Sequence, residues 1–126
     1  YAPRVLDVRV EVDKYVARTD RATAKLRYAI KAAMEFYRIA SLAWNARVLG
    51  DGGTQELASV GRLAKDNFIV QGCARAHDRI SMLVSGAANP TSALLDIGRD
   101  LGDHLELLWN CAADQVLQAE GLAAAQ

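Results

Sequence analysis

Cysteine and proline are scarce in this chain, no single charge dominates, and no apolar run is long; each shortage excludes something. The 126 residues include two cysteines, Cys73 and Cys111. Their separation fits neither a zinc knuckle nor a disulfide-rich scaffold, so free thiols are the expectation. Proline occurs only as Pro3 and Pro90, which leaves a long interior where helices can run unbroken. Fifteen basic and fifteen acidic residues give a formal net charge of zero, and a general electrostatic grip on nucleic acid is therefore not expected. Nor is there any interleaving of basic and aromatic residues of the kind that binds single strands. Apolar stretches such as Met82–Val84 and Leu107–Trp109 stop far short of the ~18 residues that a membrane span needs. Glycine-rich phosphate loops, the GxSxG elbow, HExxH and the repeated ExxH of di-iron bundles are all missing. No signal peptide opens the sequence, yet it begins with Tyr1 rather than Met, so the compartment stays open, with the cytoplasm as the default.

What the sequence does contain is helical periodicity with clear punctuation. A 52% hydrophobic content is that of a folded chain, and the length suits one domain spanning residues 1–126. Leu26, Ile30, Ala33, Tyr37, Ala40, Trp44 and Val48 recur at three-to-four spacing and predict a first helix. Gly50-Asp51-Gly52-Gly53 ends it, and Thr54 is placed to cap the next. A second stripe runs through Leu57, Val60, Ala64 and Phe68 to Ile69, Cys73, Ala76, Ile80 and Leu83, with a buried face that drifts along the helix. Gly86 to Thr91 forms the next turn, with Asn89 or Thr91 as cap and Pro90 in the first helical position. A third stripe carries Leu94, Ile97, Leu101, Leu105, Leu108, Ala112, Val116 and Ala119. Short connections between long helices make neighbours antiparallel, so the expected fold is all-α, an antiparallel bundle of three long helices.

Upstream of Leu26 two readings compete. Val8-Arg9-Val10-Glu11-Val12 alternates like a strand. Val5, Val8, Val12 and Tyr15, however, continue the later helical stripe in nearly sevenfold register, and a lone strand would have no partner, so helix is preferred. Residues 1–20 then either fold back as a fourth helix, with a break near Thr19-Asp20, or project beyond the bundle. In the second case Val5, Val8, Val12 and Val16 form an exposed apolar edge that wants a partner.

Other features qualify the surfaces. Gly61, Gly72, Gly98 and Gly102 fall within helices, where each costs about 1 kcal/mol relative to Ala. Close backbone approach would offset that cost, most clearly for Gly98 and Gly102, against the alanines at 29, 32, 33, 40 and 43. Asp96, Asp100 and Asp103 line one edge of the third helix, and Arg18, Arg21 and Lys25 one edge of the first. Both read as solvated faces that can dock on each other rather than as a cation site. Trp109, Phe68 and Met34 fall at one level and read as a core layer.

The antiparallel register also places Cys73 level with His104, with His77 one turn away and Tyr28 close to the same level. Imidazole and thiolate could bind a transition metal or a haem there. A half-buried histidine beside a small buried thiol in a plain core is the simpler account. Ala76-His77-Asp78-Arg79-Ile80-Ser81 resembles the phosphoacceptor helix of sensor-kinase dimerisation domains, which implies a phosphate carried on His77. The proline usual after that histidine is absent, as is the Lys-Gly of histidine phosphotransfer domains. The sequence as a whole favours a non-enzymatic association module, a self-assembling structural subunit or an adaptor or sensory domain, with itself as the expected partner in a homo-oligomer. The alternative is a ligand-, metal- or haem-binding or phosphotransfer bundle using Tyr28, Cys73, His77 and His104.

Overall fold

A computed structural model describes residues 24–49 and 53–124. The apolar edge expected at Val5, Val8, Val12 and Val16, and the basic positions Arg18 and Arg21, lie outside the described residues. Among those described, the fold is all-α: α1 (Ala24–Val48), α2 (Thr54–Asp66), α3 (Phe68–Gln71), α4 (Ala74–Gly86), α5 (Pro90–Asp103) and α6 (Leu105–Ala124). None of these helices is long and apolar enough to cross a membrane.

Two of the three expected rods are broken. The second is interrupted at Asn67, where extended backbone lets the side-chain carbonyl accept from the N–H groups of Ile69 and Val70 and start a new helix. It breaks again at Gly72 and Cys73; Cys73 is extended and opens α4. The third is interrupted at His104, a non-helical residue between α5 and α6. Turn chemistry follows the sequence more closely. Asn89 caps α5 in a reciprocal capping box with Ser92, and Pro90 occupies the first turn. At the start of α2 the cap is Gly53 rather than Thr54. A β-carbon there would come 2.7 Å from the Ala46 carbonyl oxygen, so the close return of the chain onto α1 favours glycine.

The breaks let each half-rod follow a different neighbour. α1 packs mainly along α6, and α2 mainly along α5. The α1–α6 pair is antiparallel: Leu26, Ala29 and Ile30 cluster with Ala119, Leu122 and Ala123 at one end. At the other, Arg47 donates to the Gly102 carbonyl at 3.2 Å and faces Asp103. The α1 seam through Leu26, Ala29, Ala33, Phe36, Ala40 and Ala43 is buried throughout, none of the six being more than 1% exposed. Burying Phe36 alone is worth about 1.5–3 kcal/mol.

The glycine expectation is met in part. α2 crosses α5 with Gly61 against the Leu94 backbone and Gly98 against the Leu57 backbone, so tightly that a β-carbon on either would overlap a carbonyl. Gly102 lies against Ala43 of α1. Gly72, by contrast, meets only its own preceding turn, and its role is to end α3. The expected layer of Trp109, Phe68 and Met34 does not form as a core: Phe68 is 77% and Trp109 38% exposed. The break at Asn67 turns Phe68 outward and buries Val70 instead.

Candidate functional site

The expected layer of Tyr28, Cys73, His77 and His104 is not assembled as a site. Cys73 is bonded to Cys111, with the two Cα atoms 6.0 Å apart. Its sulfur is therefore a disulfide sulfur and cannot serve as a thiolate ligand, and the expectation of free thiols is corrected. Cys73 is level with Cys111, about two helical turns past His104. The straight-rod register does not hold because both rods are interrupted, at Cys73 and at His104. His77 is exposed on the first turn of α4. His104 is also exposed, with Nδ1 3.4 Å from Glu106 and Nε2 3.8 Å from Asp100. Tyr28 is exposed on α1, beside residues that cluster with the end of α6. Among the described residues no group of three or more His, Cys, Asp or Glu side chains is arranged to hold a metal ion.

The disulfide is instead the centre of a fastening. α4 buries only Ala76 and Ile80, too little apolar surface to hold a 13-residue helix firmly. Three ties supplement it. Cys73–Cys111 fixes its start to α6, Arg75 donates to Asp114 at 3.0 Å, and Arg79 grips both oxygens of the half-buried Asp100, at 2.9 and 2.5 Å. Of the acidic edge of the third rod, Asp100 docks on Arg79 of α4 and Asp103 on Arg47 of α1, while Arg18 and Arg21 of the basic edge expected to face it lie outside the described residues. Closing a loop across 38 positions is worth about 4 kcal/mol in the chain-entropy account.

A second polar junction joins α1 to the break at Asn67. Glu35 receives two bonds from Arg38 and one from the Asn67 amide, the last at 3.1 Å. The Arg38 bond, with its positive charge and the Asn67 bond, outweighs partial burial and lowers the Glu35 carboxyl below its ordinary value. Asn67 therefore caps α3 with its carbonyl and holds α1 with its amide, a double use hidden in the sequence because it depends on Glu35, distant along the chain.

Among the described residues two apolar surfaces stand out. Leu42, Ala46 and Leu49 of α1 and its end meet Val60 and Leu63 of α2 around an open groove of about 360 Å³. The other lies where the described part of the α1–α6 pair begins at Ala24 and ends at Ala124. Its buried residues Leu26, Ala29, Ile30 and Ala119 form a cluster separate from the main core, drawn from two helices only. Nearby, Tyr28 is 46% and Leu117 66% exposed. Two helices can cover one seam between them but not their outer flanks. Sequence periodicity could find the α1 seam; it could not say which helix would cover it.

Comparison with known proteins finds no matching family model, no similar curated protein and no similar solved structure.

Proposed function

We propose that this chain is a non-enzymatic association module that pairs with copies of itself through the apolar stripe of the sequence upstream of α1. One observation carries the reading. The α1 seam is buried in strict three-four alternation from Leu26 to Ala43, and the same alternation continues upstream in the sequence through Ala22, Thr19, Tyr15, Val12, Val8 and Val5. α6 covers the seam at Leu26, Ala29 and Ile30 with Ala119, Leu122 and Ala123. An apolar heptad stripe beyond that point is the pattern of a helix that pairs with another. In this reading α2–α4 and α5–α6 act as two broken rods against α1, an antiparallel three-rod body that displays the pairing segment.

The disulfide adds a setting. A bond between half-buried Cys73 and buried Cys111 persists where thiols are kept oxidised, which favours an oxidising compartment over the cytoplasm. Light scattering coupled to size exclusion, run across a range of concentrations, tests the function. The full chain should have a mass above that of one copy, and a chain lacking residues 1–18 should revert to a single copy. A full chain that remains a single copy at every concentration overturns the proposal.

A further inference from the structure

We propose that the Cys73–Cys111 bond is a redox latch on α4: reduction by a dithiol releases residues 73–88 from the face of α5 and α6, and reoxidation fastens them again. The inference goes beyond the association reading and does not depend on it.

Apart from that bond, α4 is weakly held. It is 13 residues long and buries Ala76 and Ile80, whereas α2, of the same length, buries Leu57, Val60, Gly61 and Ala64. It packs on α5 and α6 less extensively than α1 packs on α6 or α2 on α5. Met82 and Val84 stay exposed, so part of the apolar surface that α4 carries faces solvent rather than the core. In the Arg75–Asp114 pair both side chains are about half exposed, and such a pair contributes little. Arg79 on Asp100 is the stronger tie, a forked pair on a carboxylate whose side chain is 11% exposed.

Hinges bound the segment on both sides. Cys73 has extended backbone at its start, and Ala87 and Asn89 are extended at its end. Such joints let a helix swing as a unit. The chain just outside them is anchored: Val70 is fully buried, and Asn89 is engaged in its capping box with Ser92. Release therefore lifts α4 alone. The anchor at Val70 also keeps the two thiols close. Three residues reach at most about 10 Å, so a reduced Cys73 stays within range of Cys111, which α6 holds in the core. A latch needs that provision for closing again; a plain cross-link does not.

The chemistry is thiol–disulfide exchange. A thiolate of the dithiol attacks Cys73 Sγ; the Cys73–Cys111 bond breaks, and its electron pair leaves on Cys111 Sγ, which takes up a proton. The second thiolate of the dithiol then attacks its own sulfur in the mixed disulfide, and Cys73 leaves and is protonated. Two electrons and two protons pass from the dithiol to the protein, and the reductant ends as a disulfide. What then holds α4 is two buried side chains and two arginine pairs.

The test compares the oxidised full chain with the same chain reduced in denaturant and refolded with the dithiol present. Hydrogen exchange should show residues 77–86 losing about a hundredfold more protection than residues 36–46 and 105–112. Binding of an apolar dye should rise, and replacing the dithiol by an oxidant should reverse both changes. Equal loss in α4 and in the body would make the bond a staple for the whole fold and overturn the latch. So would an α4 that keeps its protection when reduced. Linked dimers on reoxidation, in place of the internal bond, would show that Cys73 had drifted out of range and would overturn it as well. A chain carrying Cys73→Ala and Cys111→Ala, which no oxidant can fasten, should match the reduced chain in both readouts; a match to the oxidised chain would count against the proposal.

Discussion

Single atoms decide more here than whole side chains do. At the α2–α5 crossing the missing β-carbons of Gly61 and Gly98 are what allow the two backbones to touch, each glycine lying against the carbonyl carbon of its neighbour, 2.7 Å and 2.8 Å from where a β-carbon would sit. Gly98→Ala should therefore destabilise the fold by about 3 kcal/mol, the upper end of the overpacking range. Gly121→Ala in α6, where a β-carbon would meet nothing within 4 Å, should stabilise it by up to about 1 kcal/mol. Denaturant unfolding of the two variants beside the parent separates them, and a similar loss for both would contradict the close crossing. Glu35 makes the pH-dependent counterpart. Its carboxyl is held below its ordinary value of 4.5, chiefly by the Arg38 hydrogen bond, so its contribution is present above that value and is lost as pH falls through the lowered one. Melting followed from about pH 7 to about pH 3 should show an acid loss of stability that Glu35→Gln diminishes. An identical acid profile in the variant would mean that the junction with Arg38 and Asn67 does not carry it.

At the level of helices, the sequence reveals where apolar faces lie more readily than where helices stop. The α1 stripe, the Asn89–Pro90 start of α5 and the crossing glycine Gly98 are all legible because each depends on local spacing. The interruptions at Asn67, Cys73 and His104 are not, since each is fixed by a partner remote in the chain: Glu35 for Asn67, Cys111 for Cys73, and for His104 the need of α5 to follow α2 while α6 follows α1. The drift of the buried face along residues 57–83 is the trace those breaks leave in the sequence: the buried positions run 57, 60, 61 and 64, then restart at 70 and again at 76 and 80. The same displacement explains why Cys73 meets Cys111 and not His104. It also determines how the disulfide behaves. Of the two cysteines Cys73 is the more exposed, half-buried as a residue, but attack there sends the electron pair to Cys111, which is 1% exposed, and a buried thiolate is a poor leaving group. Reduction of the native protein by a dithiol should accordingly be slow, accelerating steeply once denaturant opens α4. Once reduced, the protein should lose about 4 kcal/mol of stability. Rapid reduction without denaturant would show that α4 already opens freely.

On the scale of the molecule, apolar burial is uneven, and the unevenness has a direction. The main cluster draws on α1 to α6, with Phe36, Ile97, Leu101 and Leu108 fully buried. Among the described residues the cluster of Leu26, Ala29, Ile30 and Ala119 rests on two helices, and a segment held by few apolar contacts opens at a fraction of the global free energy. That weak end is where the seam leads into the proposed pairing segment. A partner that binds only the closed form stabilises it by mass action, so association should be felt there first and in the main cluster last. Hydrogen exchange measured at rising protein concentration provides the discriminating measurement. Protection at residues 26–33 and 115–123 should climb with concentration, while amides around Leu101 and Leu108 stay unchanged. In a chain carrying Val12→Asp the climb should vanish, because a carboxylate in the seam opposes pairing without touching any described contact. Protection at the weak end that is independent of concentration in the parent chain would separate the seam from assembly, and would leave the small cluster as no more than the frayed end of a two-helix pair.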